Sequence, residues 1–134
     1  MPTLPSFDYA VVRIVPRVER EEFLNVGVIV FCAEHDFLEA VIELDELRLR
    51  ALSPSVDLET VRDHLAAFTR TSAGGPGSGP IGALPLRERW SWLVAPRSTI
   101  LQTSAPHVGL CQSPASALDR LLDQYVRSTR CFAI

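Results

Sequence analysis

Chemistry has few places to sit in this chain. The densest collection of hydrogen-bonding groups is "APRSTILQTSAPHVGLC" at 95–111, which brings together Arg97, Ser98, Thr99, Gln102, His107 and Cys111. A guanidinium followed by two hydroxyls can hold a carboxylate or phosphate in two-pronged fashion. The structural alternative for Arg97 is an ion pair with Glu21, Glu22 or Glu88. Cysteine beside histidine raises nucleophilic catalysis, in which an imidazole activates a thiol. Spacing argues against it: on one strand, at roughly 3.3 Å per residue, His107 and Cys111 stand about 13 Å apart. The expectation is therefore a satisfied, partly buried histidine and a core cysteine.

A second candidate lies in "EREEFLNVGVIVF" at 19–31, where Asn25 and Gly27 interrupt the most strand-like run of the sequence. A regular strand would place Phe23, Asn25, Gly27, Ile29 and Phe31 on one face and Leu24, Val26, Val28, Val30 and Cys32 on the other. Volume missing at Gly27 beside the Asn25 amide would leave a small polar recess, next to Arg13 on the neighbouring strand. The alternative is architectural, with Gly27 marking a bulge or close backbone approach and Asn25 bonding main chain. The candidate ligand-binding set is thus Asn25, Arg13, Arg97, Ser98, Thr99 and His107. Glu19, Glu21 and Glu22, in the charged turn before the strand, are the candidate partner-binding residues.

Other chemistries find little support. His35, His64 and His107 are scattered, with no histidine pair at helical spacing and no acidic triad, so no metal site is expected. No cofactor is expected either: "SAGGPGSGP" at 72–80 is glycine-rich, but a phosphate-binding loop of the Walker type needs a lysine, and all thirteen basic residues are arginine. Arg87, Arg89, Trp90, Trp92 and Arg97 interleave bases and rings as a stacking platform for nucleic acid would. Glu88 among them and a net charge of −3 oppose that reading. The three cysteines, Cys32, Cys111 and Cys131, are far apart and form no C-x-x-C pair, as reduced thiols would be, with Cys32 and Cys111 packed inside. No long apolar run or leader pattern is present, so the expectation is a cytoplasmic protein.

The elements that must position these residues are legible in outline. At 134 residues and 47% apolar, the chain suits a single domain spanning 1–134, with a Gly/Pro/Ser-rich internal loop at 72–83. Strands are predicted at Phe7–Pro16, Phe23–Cys32 and Phe37–Leu44, the last two joined as a hairpin through Ala33–Asp36. A short helix over Asp45–Leu52 stops at Pro54, and a second runs over about Leu58–Thr71 behind Asp57 as its cap. A helix within Leu84–Val94, strand-like segments at Pro96–Ser104 and His107–Cys111, and a closing helix capped by Ser113 complete the series. This order predicts an α+β fold: a mainly antiparallel sheet of four to five strands, covered by helices on one face, with a C-terminal helix.

The segments "VPRVEREEFLNVGVIVF" at 15–31 and "PIGALPLRERWSWLVAPRSTILQTSAPHVGLC" at 80–111, with the closing helix, resemble a small bacterial family catalogued only as domain of unknown function number 3037. The likeness covers nearly the whole chain. It implies no established reaction and supplies no catalytic residues. It does imply a setting, since members are often encoded beside proteins similar to HipA-like kinases, serine/threonine kinases known from toxin–antitoxin systems. Two readings follow. The preferred one is a non-catalytic accessory or binding protein, a partner of a HipA-like kinase. The other is a small enzyme or ligand-binding domain acting on a phosphate- or carboxylate-bearing molecule.

Overall fold

In the computed structural model, which describes residues 4–127, the β-branched and aromatic runs form a five-stranded antiparallel sheet. β1 (Ser6–Ile14), β2 (Leu24–Cys32) and β3 (Phe37–Ile42) are a meander, with β2 in the middle. β4 (Leu101–Thr103) and β5 (His107–Leu110) share the other flank of β1, end to end. Asp36, at φ 50°, closes the four-residue β2–β3 turn by donating its N–H to the Ala33 carbonyl at 3.1 Å. Short polar side chains tolerate that left-handed conformation because they bond locally.

The helices are α1 (Glu46–Leu52), α2 (Leu58–Ala73), the single turn α3 (Gly79–Gly82), α4 (Leu86–Leu93) and α5 (Pro114–Tyr125). Asp45, Asp57 and Ser113 cap α1, α2 and α5 by accepting the N–H groups of Arg48, Thr60 and Ser116. Such caps satisfy amides that have no partner inside a helix. Among the described residues no helix is long and apolar enough to cross a membrane.

Both faces of the sheet are covered, which corrects the one-sided arrangement expected from the sequence. Leu49, Leu58, Val61, Leu65, Phe68, Trp90 and Leu93 of α1, α2 and α4 pack with Ala10, Val12, Ile29 and Phe31 on one face. Ala117, Leu118, Leu121 and Leu122 of α5 pack with Phe7, Val28, Val30 and Cys32 on the other. The physical reason is that β2 beyond Gly27 is apolar on both sides, and a strand apolar on both sides needs cover on both. Cys32 and Cys111 are buried thiols, while Cys131 lies outside the described residues.

The interruption in β2 is a bulge. Val12 pairs with Gly27, yet its neighbour Arg13 pairs with Asn25, so Val26 is an extra residue on its strand. The alternation resets there: Asn25 shares the α5 face with Arg13, and Gly27 shares the opposite face with Val12. The single face carrying both Asn25 and Gly27, expected for a regular strand, does not exist. Gly27 is required for space, because a Cβ there would lie 2.5 Å from the Val41 carbonyl oxygen and 2.5 Å from Ile42 Cδ1.

Two further expectations change. Pro96–Ile100 is not strand, because Arg97 and Thr99 bond local carbonyls and so compete with ladder pairing. The glycine-rich connection at 72–83 begins inside α2 and contains α3, and Arg89 anchors its far end by donating to the carbonyls of Gly82 and Leu84, both at 3.2 Å. At the end of α5, Arg127 grips Glu43 with two bonds, of 2.8 and 2.6 Å, and also reaches Asp119 and Asp123. The Arg127 hydrogen bond holds the Glu43 carboxyl below its ordinary range.

Candidate functional site

The polar groups of 95–104 serve the backbone around them. Arg97 donates from Nη1 to the Leu93 carbonyl at 3.1 Å and from Nη2 to that of Trp92, and its guanidinium stacks 4.3 Å from the Trp92 ring. These carbonyls end α4, where no intrahelical N–H remains to meet them and the helix dipole favours a cation. Burial lowers the pKa of Arg97, and no glutamate pairs with it among the described residues, so the anticipated ion pair is replaced by a helix cap. Thr99 donates to the Leu101 carbonyl at 2.9 Å, and Gln102 reaches back to the Thr99 carbonyl at 2.9 Å. Ser98 is exposed beside them.

The remaining candidates are not gathered around Arg97. Asn25 lies on the opposite face of the sheet from α4 and donates Nδ2 to the Tyr125 carbonyl at 3.2 Å. His107 is exposed, not partly buried, and its ring lies 5.2 Å from that of Tyr9, its cross-strand partner. Tyr9 in turn meets the Tyr125 hydroxyl at 3.4 Å, a bond that, with burial, raises its pKa. Cys111 follows β5 in an apolar cluster, and burial pushes its thiol up, the reverse of what an activated nucleophile needs. Among the described residues no group of three metal-ligating side chains occurs.

Two of the candidates do meet. Arg13 and Asn25 are directly opposed across β1 and β2, and the Arg13 guanidinium lies 4.0 Å from the Phe23 ring. In the turn before Phe23, Glu19 pairs with Arg17 at 2.8 Å and Glu22 pairs with Arg20. Glu21, at φ 55°, closes the turn by donating its N–H to the Val18 carbonyl. A cleft of about 210 Å³ separates this turn from Ser53–Ser55, and its walls are Pro16, Arg17, Arg20, Glu22 and Leu52.

The family model described as "Protein of unknown function (DUF3037)" matches residues 9–126, nearly the whole chain. The chain belongs to this family. No curated protein and no solved structure matches it.

In this DUF3037 protein one open surface is a sheet edge whose residues sequence reasoning did not single out. Among the described residues β5 pairs only with β1, so its other side is a sheet edge among them. Cys111 directs its N–H at the Pro5 carbonyl, and alternation along the ladder therefore turns the N–H and C=O groups of Val108 and Leu110 away from β1. Their side chains are 70% and 62% exposed, and Leu4 is exposed as well. A seam separates β5 from β4: the Ser104 hydroxyl accepts the Val11 N–H at 2.9 Å, doing what a ladder carbonyl would do in an unbroken strand. The alternation of "HVGL" signals a strand, but nothing local shows that its outer side stays uncovered.

Proposed function

We propose that this protein is a non-catalytic binding module that docks a protein partner by strand addition along β5. The observation that carries this reading is the edge itself, where Val108 and Leu110 present exposed apolar side chains and outward peptide groups on the same strand. Natural sheet edges are usually blunted by charge, proline or cover. Pro106 blunts only the approach to β5, and no charged residue lies within it. An extended segment of a partner gains main-chain hydrogen bonds from such an edge and specificity from alternate side chains.

The partner we propose is a HipA-like kinase of a toxin–antitoxin-type system, on the strength of the family resemblance. The enzymatic reading needs Arg97, Ser98, Thr99 and His107 around one recess lined by Asn25, and these side chains lie apart, with Arg97 and Thr99 engaged by nearby main chain. The test is co-expression with the neighbouring kinase and measurement of the complex with wild type and with Val108→Glu/Leu110→Glu. We expect a stable complex that the double variant weakens at least tenfold. Absence of a complex with wild type, or an unaffected complex with the double variant, contradicts the proposal.

A further inference from the structure

Behind the open edge lies a second row of side chains. β5 pairs with β1 in the register Ser6↔Leu110, Phe7↔Gly109, Asp8↔Val108 and Tyr9↔His107. Residues directly opposed in a ladder point to the same face of the sheet, so the face that carries Val108 and Leu110 also carries Asp8 and Ser6. Ala10 and Val12 follow on that face of β1 and are buried against the helices. The helical cover stops short of β5, where Val108 and Leu110 are exposed.

On this face of β1 and β5, Asp8 is the charged residue of the uncovered strip. It is half-buried, and its neighbour on the inner side is Phe31 of β2, whose ring the Arg87 guanidinium meets at 5.1 Å. On the outer side stands Val108, and beyond it the edge. A strand added there lies two strand spacings from β1, about 10 Å. Lysine and arginine rest an apolar stem on an apolar surface and keep the charged head in polar surroundings. Either one, placed opposite Val108, can cross that side chain and bring its charge to Asp8. The position opposite Leu110 is backed by uncharged Ser6 and suits an apolar side chain.

Direction follows from the sheet. Every pairing in it is antiparallel, the more stable arrangement per residue. In such a pair Val108 and Leu110 exchange both hydrogen bonds with the residues directly opposite them. Because the added strand runs against β5, the residue opposite Leu110 comes first. We infer that Asp8 sets the sequence preference of the docking edge: the partner segment is an extended strand with an apolar residue two places before an arginine or lysine. The apolar residue packs on Leu110, and the basic one pairs with Asp8 across Val108. This rests on strand addition along β5 and names the chemistry of the segment added.

The test is an NMR titration of the full chain with three capped peptides in a threonine background. One has isoleucine two places before arginine, one has the same two residues in reverse order, and one has glutamate in place of the arginine. We expect saturable shifts of the Val108 and Leu110 amides with the first, binding about fivefold weaker on reversal and about tenfold weaker with glutamate. Reversal keeps composition and charge, so it separates a residue placed against Asp8 from general attraction to an acidic chain. Asp8→Asn should abolish the preference between the two orders, and Asp8→Arg should make the glutamate peptide the tighter binder. Shifts at Val108 and Leu110 with equal affinity for the two orders overturn this inference and leave docking at the edge standing. No saturable shift there with any of the three also overturns it, and the kinase complex measured with Val108→Glu/Leu110→Glu then decides the docking reading by itself. The wild-type comparison of the two orders holds even if an Asp8 variant fails to fold.

Discussion

Two halves of one stretch, 96–104 and 107–110, make opposite use of their residues. The first is the richest in hydrogen-bonding side chains, yet Arg97, Thr99 and Gln102 turn inward to carbonyls of their own neighbourhood. The second has little polar chemistry, but Val108 and Leu110 leave both side chain and main chain open. Polar density in a sequence can therefore mark backbone that lacks regular pairing, since buried main-chain groups must be satisfied by something. Availability depends instead on what the rest of the fold fails to cover.

Three substitutions sharpen this contrast. The largest effect is expected at Gly109, which anchors the open half to the core. A Cβ there would meet the buried Phe7 ring at 2.6 Å, and Gly109→Ala should cost about 2 kcal/mol by overpacking, read as a lower midpoint in urea. Next is the seam. Ser104→Ala leaves the N–H of buried Val11 without its acceptor, which should cost about 1–2 kcal/mol. Backbone exchange at Val11 should quicken, and partner binding should weaken only as far as the edge becomes disordered.

The smallest effect belongs to the closed half. Arg97→Ala exposes the carbonyls at the end of α4 to water and frees the Trp92 face, for a loss of about 1 kcal/mol. It should leave partner affinity unchanged. A loss of affinity at Arg97→Ala with full retention at Val108→Glu/Leu110→Glu would reverse the roles assigned to the two halves.

What the sequence showed plainly was everything governed by local rules. The Asp57 and Ser113 caps, the α2 stripe of Leu58, Val61, Leu65 and Phe68, and the β2–β3 hairpin all follow from periodicity and short-range bonding, whereas Asp45, read as the first residue of α1, is its cap. The bulge at Val26 was legible only as a choice between two readings, because the alternation "LNVGVIVF" looks unbroken until a partner strand sets the register. Gly27 was the clue, and its cause is tertiary: Val41 and Ile42 on β3 leave no room for a side chain. Arg13 and Asn25 were rightly placed as neighbours, although Gly27 was wrongly placed beside them. The open edge was illegible, since whether β5 is covered depends on elements far away in the chain.

The most direct test of the docking claim is amide hydrogen exchange on the protein alone and in complex with the kinase proposed as its partner. The N–H groups of Val108 and Leu110 point away from β1, whereas those of Gly109 and Cys111 point towards it. Strand addition predicts that Val108 and Leu110 exchange rapidly in the free protein and are slowed about a hundredfold or more in the complex, an opening cost of roughly 2.7 kcal/mol or more. Gly109 and Cys111 should be protected in both. A complex in which Val108 and Leu110 still exchange as in the free protein would contradict docking at this edge.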